Sequence, residues 1–144
     1  MKTKMLIVLT VLMALPAWLH AGFTQPAPVI IELAEDGLSG FATGDMLSAR
    51  DSVNPFEFIG CGIRAFETAP DTAFYQGFCQ ARLVDGETFT CFTNNKALLD
   101  GIQSIADNSF VTFSWTDDGT GSLTCSRIGS STQSFYLPKI KSNL

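Results

Sequence analysis

Apolar and polar residues alternate along most of this chain, and a period of two predicts β-sheet. Phe56 to Phe66 is rich in aromatic and β-branched residues, between Asn54-Pro55 and Pro70-Asp71, which punctuate a strand. Phe74 to Leu83 and Glu87 to Thr93 flank Asp85-Gly86, a strong hairpin signal. With Val84-Asp85-Gly86 as a three-residue loop and Gly86 in the left-handed bulge position, Leu83 opposes Glu87 and Cys79 opposes Cys91. The period changes once. After Asn95, a good N-cap, Ala97, Leu98, Ile102, Ile105 and Ala106 recur on one helical face, and Asp107-Asn108-Ser109 closes the run. Gly101 inside it costs about 1 kcal/mol against alanine, so a close contact with the sheet is expected there. Phe110 to Trp115 and Ser122 to Ile128 make a last pair of strands around the turn Asp117 to Gly121.

Residues 22–45 read as a lead-in. Pro26 and Pro28 break its start, Val29-Ile30-Ile31 is a short strand or a docking segment, and Gly37, Gly40 and Gly44 make a loose region. The tail from Gly129 is Ser-rich and ends in Phe135-Tyr136-Leu137-Pro138. The expected fold class is α+β: a mainly antiparallel sheet of five or more strands, one α-helix on one face and two disulfides. Residues 46–139 form the single domain, with 140–144 as a tail.

Residues 1–21 read as an export signal. Lys2 and Lys4 supply its positive start, Met5 to Leu15 its apolar run, and Leu19-His20-Ala21 a small residue at the cut. The run is too short to span a bilayer comfortably, and no cysteine follows it for a lipid anchor. The expected location is therefore periplasmic or extracellular, without a stable membrane anchor after cleavage. Removing 21 residues from 144 leaves 123, one domain of ordinary size. The only histidine is His20, so the mature chain lacks Ser-His-Asp and Cys-His nucleophilic sites and histidine metal sites. Two of the nine Lys and Arg lie in the signal and all fourteen acids follow it, leaving seven cations against fourteen anions, a net charge of −7. That balance argues against nucleic acid as a partner.

An even count of four cysteines, Cys61, Cys79, Cys91 and Cys125, in an exported domain implies two disulfides. Because Cys79 opposes Cys91 across the predicted hairpin, that pair is expected to bridge, which leaves Cys61–Cys125. Zinc and redox roles are disfavoured, because no two cysteines have C-x-x-C spacing.

Ser48-Ala49-Arg50-Asp51-Ser52 and Phe58-Ile59-Gly60-Cys61 resemble the opening of a group of small exported bacterial proteins of unknown function with four cysteines. The match continues through Gly77-Phe78-Cys79, Cys91-Phe92-Thr93, Ala97-Leu98 and Phe113-Ser114-Trp115 to Tyr136-Leu137-Pro138-Lys139. It departs at Asn95-Lys96, where the group has Asp-Pro, and is longer between Ala65 and Ala73. The resemblance implies export and the fold outline, and no activity.

Asp117-Asp118-Gly119 lacks the alternating ligands and closing glutamate of an EF-hand and reads as a tight turn. Glu57, Glu67, Asp71 and Glu87 lie near strand ends, where paired carboxylates would suit a hydrolase of cell-wall or extracellular polymer. Ser130-Ser131-Thr132 reads as tail rather than nucleophile. No residue pattern points to a catalytic site, a metal, a nucleotide or an organic cofactor, and a non-enzymatic role is expected.

The main candidate is a face. Odd positions Ile59, Cys61, Ile63, Cys79, Leu83, Phe89 and Cys91 should meet the helix. Even positions carry Phe58, Phe66, Phe78 and Phe92 among Arg64, Gln80 and Arg82, more apolar than a solvated face normally is. The simpler expectation is that Val29-Ile30-Ile31 or Phe135-Tyr136-Leu137 covers this face. The sharper one is that part stays open and binds an envelope protein or a glycan, since aromatic and arginine residues suit both. Phe58, Arg64, Phe78, Gln80, Arg82 and Phe92 are the candidate binding residues.

Overall fold

A computed structural model describes residues 22–83, 86–117 and 119–138. The export segment 1–21, Val84-Asp85 of the hairpin loop, Asp118 of the later turn and the end 139–144 lie outside the described residues. The chain runs β1 (Ile30–Leu33), β2 (Ser39–Asp45), α1 (Met46–Arg50), β3 (Phe58–Ala69), β4 (Thr72–Arg82), β5 (Thr88–Thr93), α2 (Lys96–Gln103), β6 (Phe110–Asp117) and β7 (Leu123–Ser131). A 3-10 turn, Ser134–Tyr136, follows. The seven strands form one sheet in the order β1-β2-β6-β7-β5-β4-β3. Every neighbouring pair is antiparallel except β5 and β7, so the sheet is mixed. The parallel pair arises because α2 carries the chain away from β5, and β6 then forms on the far side of β7.

One face of the sheet holds the core. Val111, Phe113 and Trp115 from β6 meet Cys79, Ala81, Cys91 and Cys125, and the buried Ile102 of α2 lies over them. Trp115 stacks on Phe89 with ring centroids 5.1 Å apart. The backbone of β4 approaches α2 so closely that a Cβ on Gly77 would lie 2.6 Å from Ile102 Cδ1. Asn95 caps α2 as expected, its side-chain oxygen accepting from the Ala97 N–H at 2.9 Å. The helix is shorter than its apolar pattern, because Ser104 caps it and Ile105 to Ser109 continue as turns.

Gly101 departs from expectation. A Cβ there would meet only Ile128 O, at 3.9 Å, an ordinary contact. The glycine is therefore not required by packing, and Gly101→Ala should raise stability by about 0.5–1 kcal/mol through the unfolded chain and helix propensity. Urea denaturation of the two proteins measures this directly.

The glycines of the lead-in serve packing rather than looseness. Gly40 and Gly44 lie within β2, where a Cβ would come to 2.6 Å from Trp115 Cζ2 and 3.0 Å from Val29 Cα. Gly37 alone of the three takes a positive φ, 67°, in the turn between β1 and β2. Residues 30–45 thus supply two strands of the sheet.

The disulfides pair differently from expectation. They join Cys61 to Cys79 and Cys91 to Cys125, not Cys79 to Cys91 or Cys61 to Cys125. The predicted hairpin register itself holds, with Cys79 directly opposite Cys91 and Gly86 at φ 89°. Leu83 N–H donates to Glu87 O, making that pair hydrogen-bonded. Alternation along the ladder makes Cys79/Cys91 hydrogen-bonded too, with the wider separation of such pairs. Cys79 also opposes Cys61 on its other side, in the closer, non-hydrogen-bonded geometry, with Cα atoms 4.0 Å apart. Cys61, Cys79 and Cys91 therefore stand abreast on β3, β4 and β5, Cys125 of β7 lies 5.0 Å from Cys91 between Cα atoms, and the sheet order decides who bridges.

Candidate binding face

Strand register gathers the candidate residues on the face opposite the core. Phe58 opposes Arg82, Gly60 opposes Gln80, and Gly62 opposes Phe78. Phe78 opposes Phe92 in β5, and Phe92 neighbours Thr124 in β7. Arg64 follows one step on, opposite Gln76, and Phe66 follows opposite Phe74. All six of Phe58, Arg64, Phe78, Gln80, Arg82 and Phe92 thus share one face.

Neither expected cover reaches this part of it. Val29 enters the core, and the strand after it pairs with β2 at the opposite edge of the sheet. The tail packs at one corner, where Tyr136 stacks on Phe110 with centroids 5.5 Å apart and Phe135 meets Phe23. Phe66, Phe74 and Phe92 remain 40%, 44% and 38% exposed.

The face is organised locally. The Phe78 ring lies over Gly62, where a Cβ would come to 2.8 Å from Cζ, so glycine is needed to let the ring lie flat. Arg64 stacks its guanidinium on that ring, 4.6 Å from the centroid. Arg82 stacks on Phe56 at 4.9 Å, and its Nε is buried with no hydrogen-bond partner among the described residues. Phe66 and Phe74 stack at 5.1 Å on the half of the β3–β4 hairpin that extends past β5.

One residue of this face, Arg127, escapes a strict period of two. Arg127 shares the parity of Cys125 and so reads as core-facing. A bulge at Ser126 shifts the ladder, so that Trp115 opposes Cys125 while Ser114 opposes Arg127, and the arginine turns to the Phe/Arg face. Gln76 and Phe74 belong to the face by the same alternation as Phe78. Thr124, which alternates with the buried Cys125, joins it beside Phe92.

The candidate carboxylates do not converge as a set. Glu57 accepts from Val29 N–H at 3.0 Å and from the Ser52 hydroxyl at 2.6 Å, so both its oxygens hold the N-terminal segment and the loop before β3. Glu67 and Asp71 lie at the far end of the same strand, roughly 30 Å or more from Glu57 at about 3.3 Å per residue. Asp71 adopts φ 64° in the β3–β4 turn, and Glu87 is exposed after the β4–β5 turn. A cleft of about 670 Å³ separates the N-terminal segment from the tail. Asp45 in its wall accepts from Ala27 and Ser48 N–H groups at 2.6 and 2.7 Å, a structural clamp. Among the described residues no three His, Cys, Asp or Glu side chains gather as a metal-binding group.

Both disulfides are formed, the bonding expected of an oxidising compartment rather than the cytosol. Among the described residues no helix is long and apolar enough to cross a membrane. No family model, curated protein or solved structure matches this chain.

Proposed function

We propose that this is an exported, non-enzymatic binding protein, periplasmic or secreted, related to the small four-cysteine bacterial proteins it resembles. Its Phe/Arg sheet face engages an envelope protein or glycan. The observation that carries this is the run of aromatic rings and arginines from Phe58 to Phe92, organised by stacking, on which Arg64, Phe66, Phe74 and Phe92 stand exposed. Rings fixed in place lose little entropy on binding and offer large contact area, which suits recognition. The signal segment and the two cross-links support export.

Purified wild type, Phe78→Ser and Arg82→Glu proteins are to be compared for retention on the envelope fraction of an expressing bacterium. The expected result is loss of retention by about tenfold for each, with an unchanged far-UV spectrum and intact disulfides. Equal retention of folded variants would remove the face from consideration.

A further inference from the structure

Strand β5 stops at Thr93 while β4 and β7 run on beside it, and a cleft of about 490 Å³ opens where the strand is missing. Its lining includes Gln76, Phe92, Asn94, Asn95, Thr124 and Ser126. Amides and hydroxyls make up most of it around one exposed ring, and Leu98 and Cys125 complete the lining. Neutral donors and acceptors of this kind suit vicinal hydroxyls, and the ring offers a stacking surface for the C–H face of a sugar.

Charge adds the second half. Arg64 on β3 and Arg127 on β7 stand at the same level along the strands, one on each side of the cleft. Three strand spacings separate them, roughly 14 Å at about 4.8 Å each. Arg64, Arg82 and Arg127 all lie on this face of β3 to β7, and the register puts no carboxylate on that face of these strands. Among the described residues the ion pairs are Arg50–Asp51 and Lys96–Asp100, so all three arginines lack an acidic partner. Among the described residues Arg127 makes one long hydrogen bond, to Thr112 Oγ1 at 3.4 Å, and it remains exposed. Two of the three strand arginines, Arg64 and Arg127, thus flank one polar cleft with no acidic partner among the described residues, while Arg82 lies six residues beyond Gln76 along β4.

We infer that the cleft at the end of β5 binds a carboxylate-bearing glycan, a uronic-acid oligosaccharide, with Arg64 and Arg127 taking carboxylates on either side of a sugar seated against Phe92. The inference rests on the proposed face and names its ligand class. An acidic peptide would satisfy the arginines but would leave the amide and hydroxyl lining without matching hydroxyls. A neutral glycan would leave both guanidinium groups unpaired.

Calorimetric titration of the exported protein with oligogalacturonate, its methyl-esterified counterpart and polyglutamate tests this. Oligogalacturonate should bind, the other two should bind at least about tenfold more weakly, and added salt should weaken the complex. Arg64→Gln and Arg127→Gln, both at exposed positions, should each raise Kd about five- to tenfold with melting temperature unchanged. Equal binding of ester and acid, preference for polyglutamate, or indifference to both arginine substitutions would overturn the inference. If envelope retention still depends on Phe78 in that case, the glycan assignment falls and the face stands. If Phe78→Ser changes nothing either, the face falls with it.

Discussion

Trp115→Ala should lower the unfolding free energy by about 3–5 kcal/mol, the range for emptying a large aromatic site in a packed core. The ring is only 2% exposed. It stacks on Phe89 at 5.1 Å and tilts against Phe113 at 5.7 Å, so its loss strips contacts from two further rings. The space left behind resists collapse. On one side lies Gly40, which has no side chain to move in, and whose own Cβ would collide with the Glu32 carbonyl at 2.7 Å. On the other lies β7, held by the bridge at Cys125. For a domain of this size the expected fall in Tm is about 10–20 °C. Thermal melts followed in the near-UV measure it, and Trp115→Phe should recover most of the loss. A shift of a degree or two would mean that the β2–β6 half of the sheet is not the core.

The paired substitution Cys91→Ala with Cys125→Ala should cost nearly as much, about 4 kcal/mol in the chain-entropy picture. Removing Cys61 and Cys79 together should cost about 3 kcal/mol, because the closed loop is shorter. The two bridges span separations of 34 and 18 residues, and their loops share no residue. The costs should therefore add when all four cysteines are replaced. Under the alternative Cys79–Cys91 and Cys61–Cys125 pairing each of these double substitutions would break both bridges, and replacing all four cysteines would then cost little more than either pair alone. Denaturant midpoints of the three variants distinguish these cases, and non-reducing peptide mapping assigns the bonds.

Much of this fold was readable because the chain obeys simple periods where it is regular. Asp85-Gly86 set the β4–β5 register, Asn95 set the start of α2, and alternation divided Phe58 to Phe92 between two faces. What escaped has specific causes. The cysteine pairing depended on a second neighbour of Cys79, and the order of strands across a sheet is a long-range property that one hairpin cannot reveal. The glycines at 40 and 44 resembled loop residues because their real constraint, the Trp115 ring and the Val29 backbone, lies far away in sequence. Arg127 was hidden by a single-residue bulge, which inverts facing without changing composition. The cleft beside it exists only because β5 is shorter than its neighbours. Of the candidate face, the six central residues were legible, while its polar end was not.

The central claim is that the Phe/Arg face is where a partner sits, and hydroxyl-radical footprinting addresses it most directly. The protein is oxidised once in purified form and once in the envelope or medium of an expressing bacterium, and modification is read ring by ring. Phe66, Phe74 and Phe92 are exposed in the isolated molecule and should be labelled there. In the native setting Phe78, Phe92 and the Arg64–Phe66 peptide should be protected, while Phe23 and Leu137, at the opposite corner, should stay as reactive as before. Unchanged labelling of the face, with protection confined to the cleft between Thr24–Pro28 and the tail, would contradict the assignment and move the partner to that cleft.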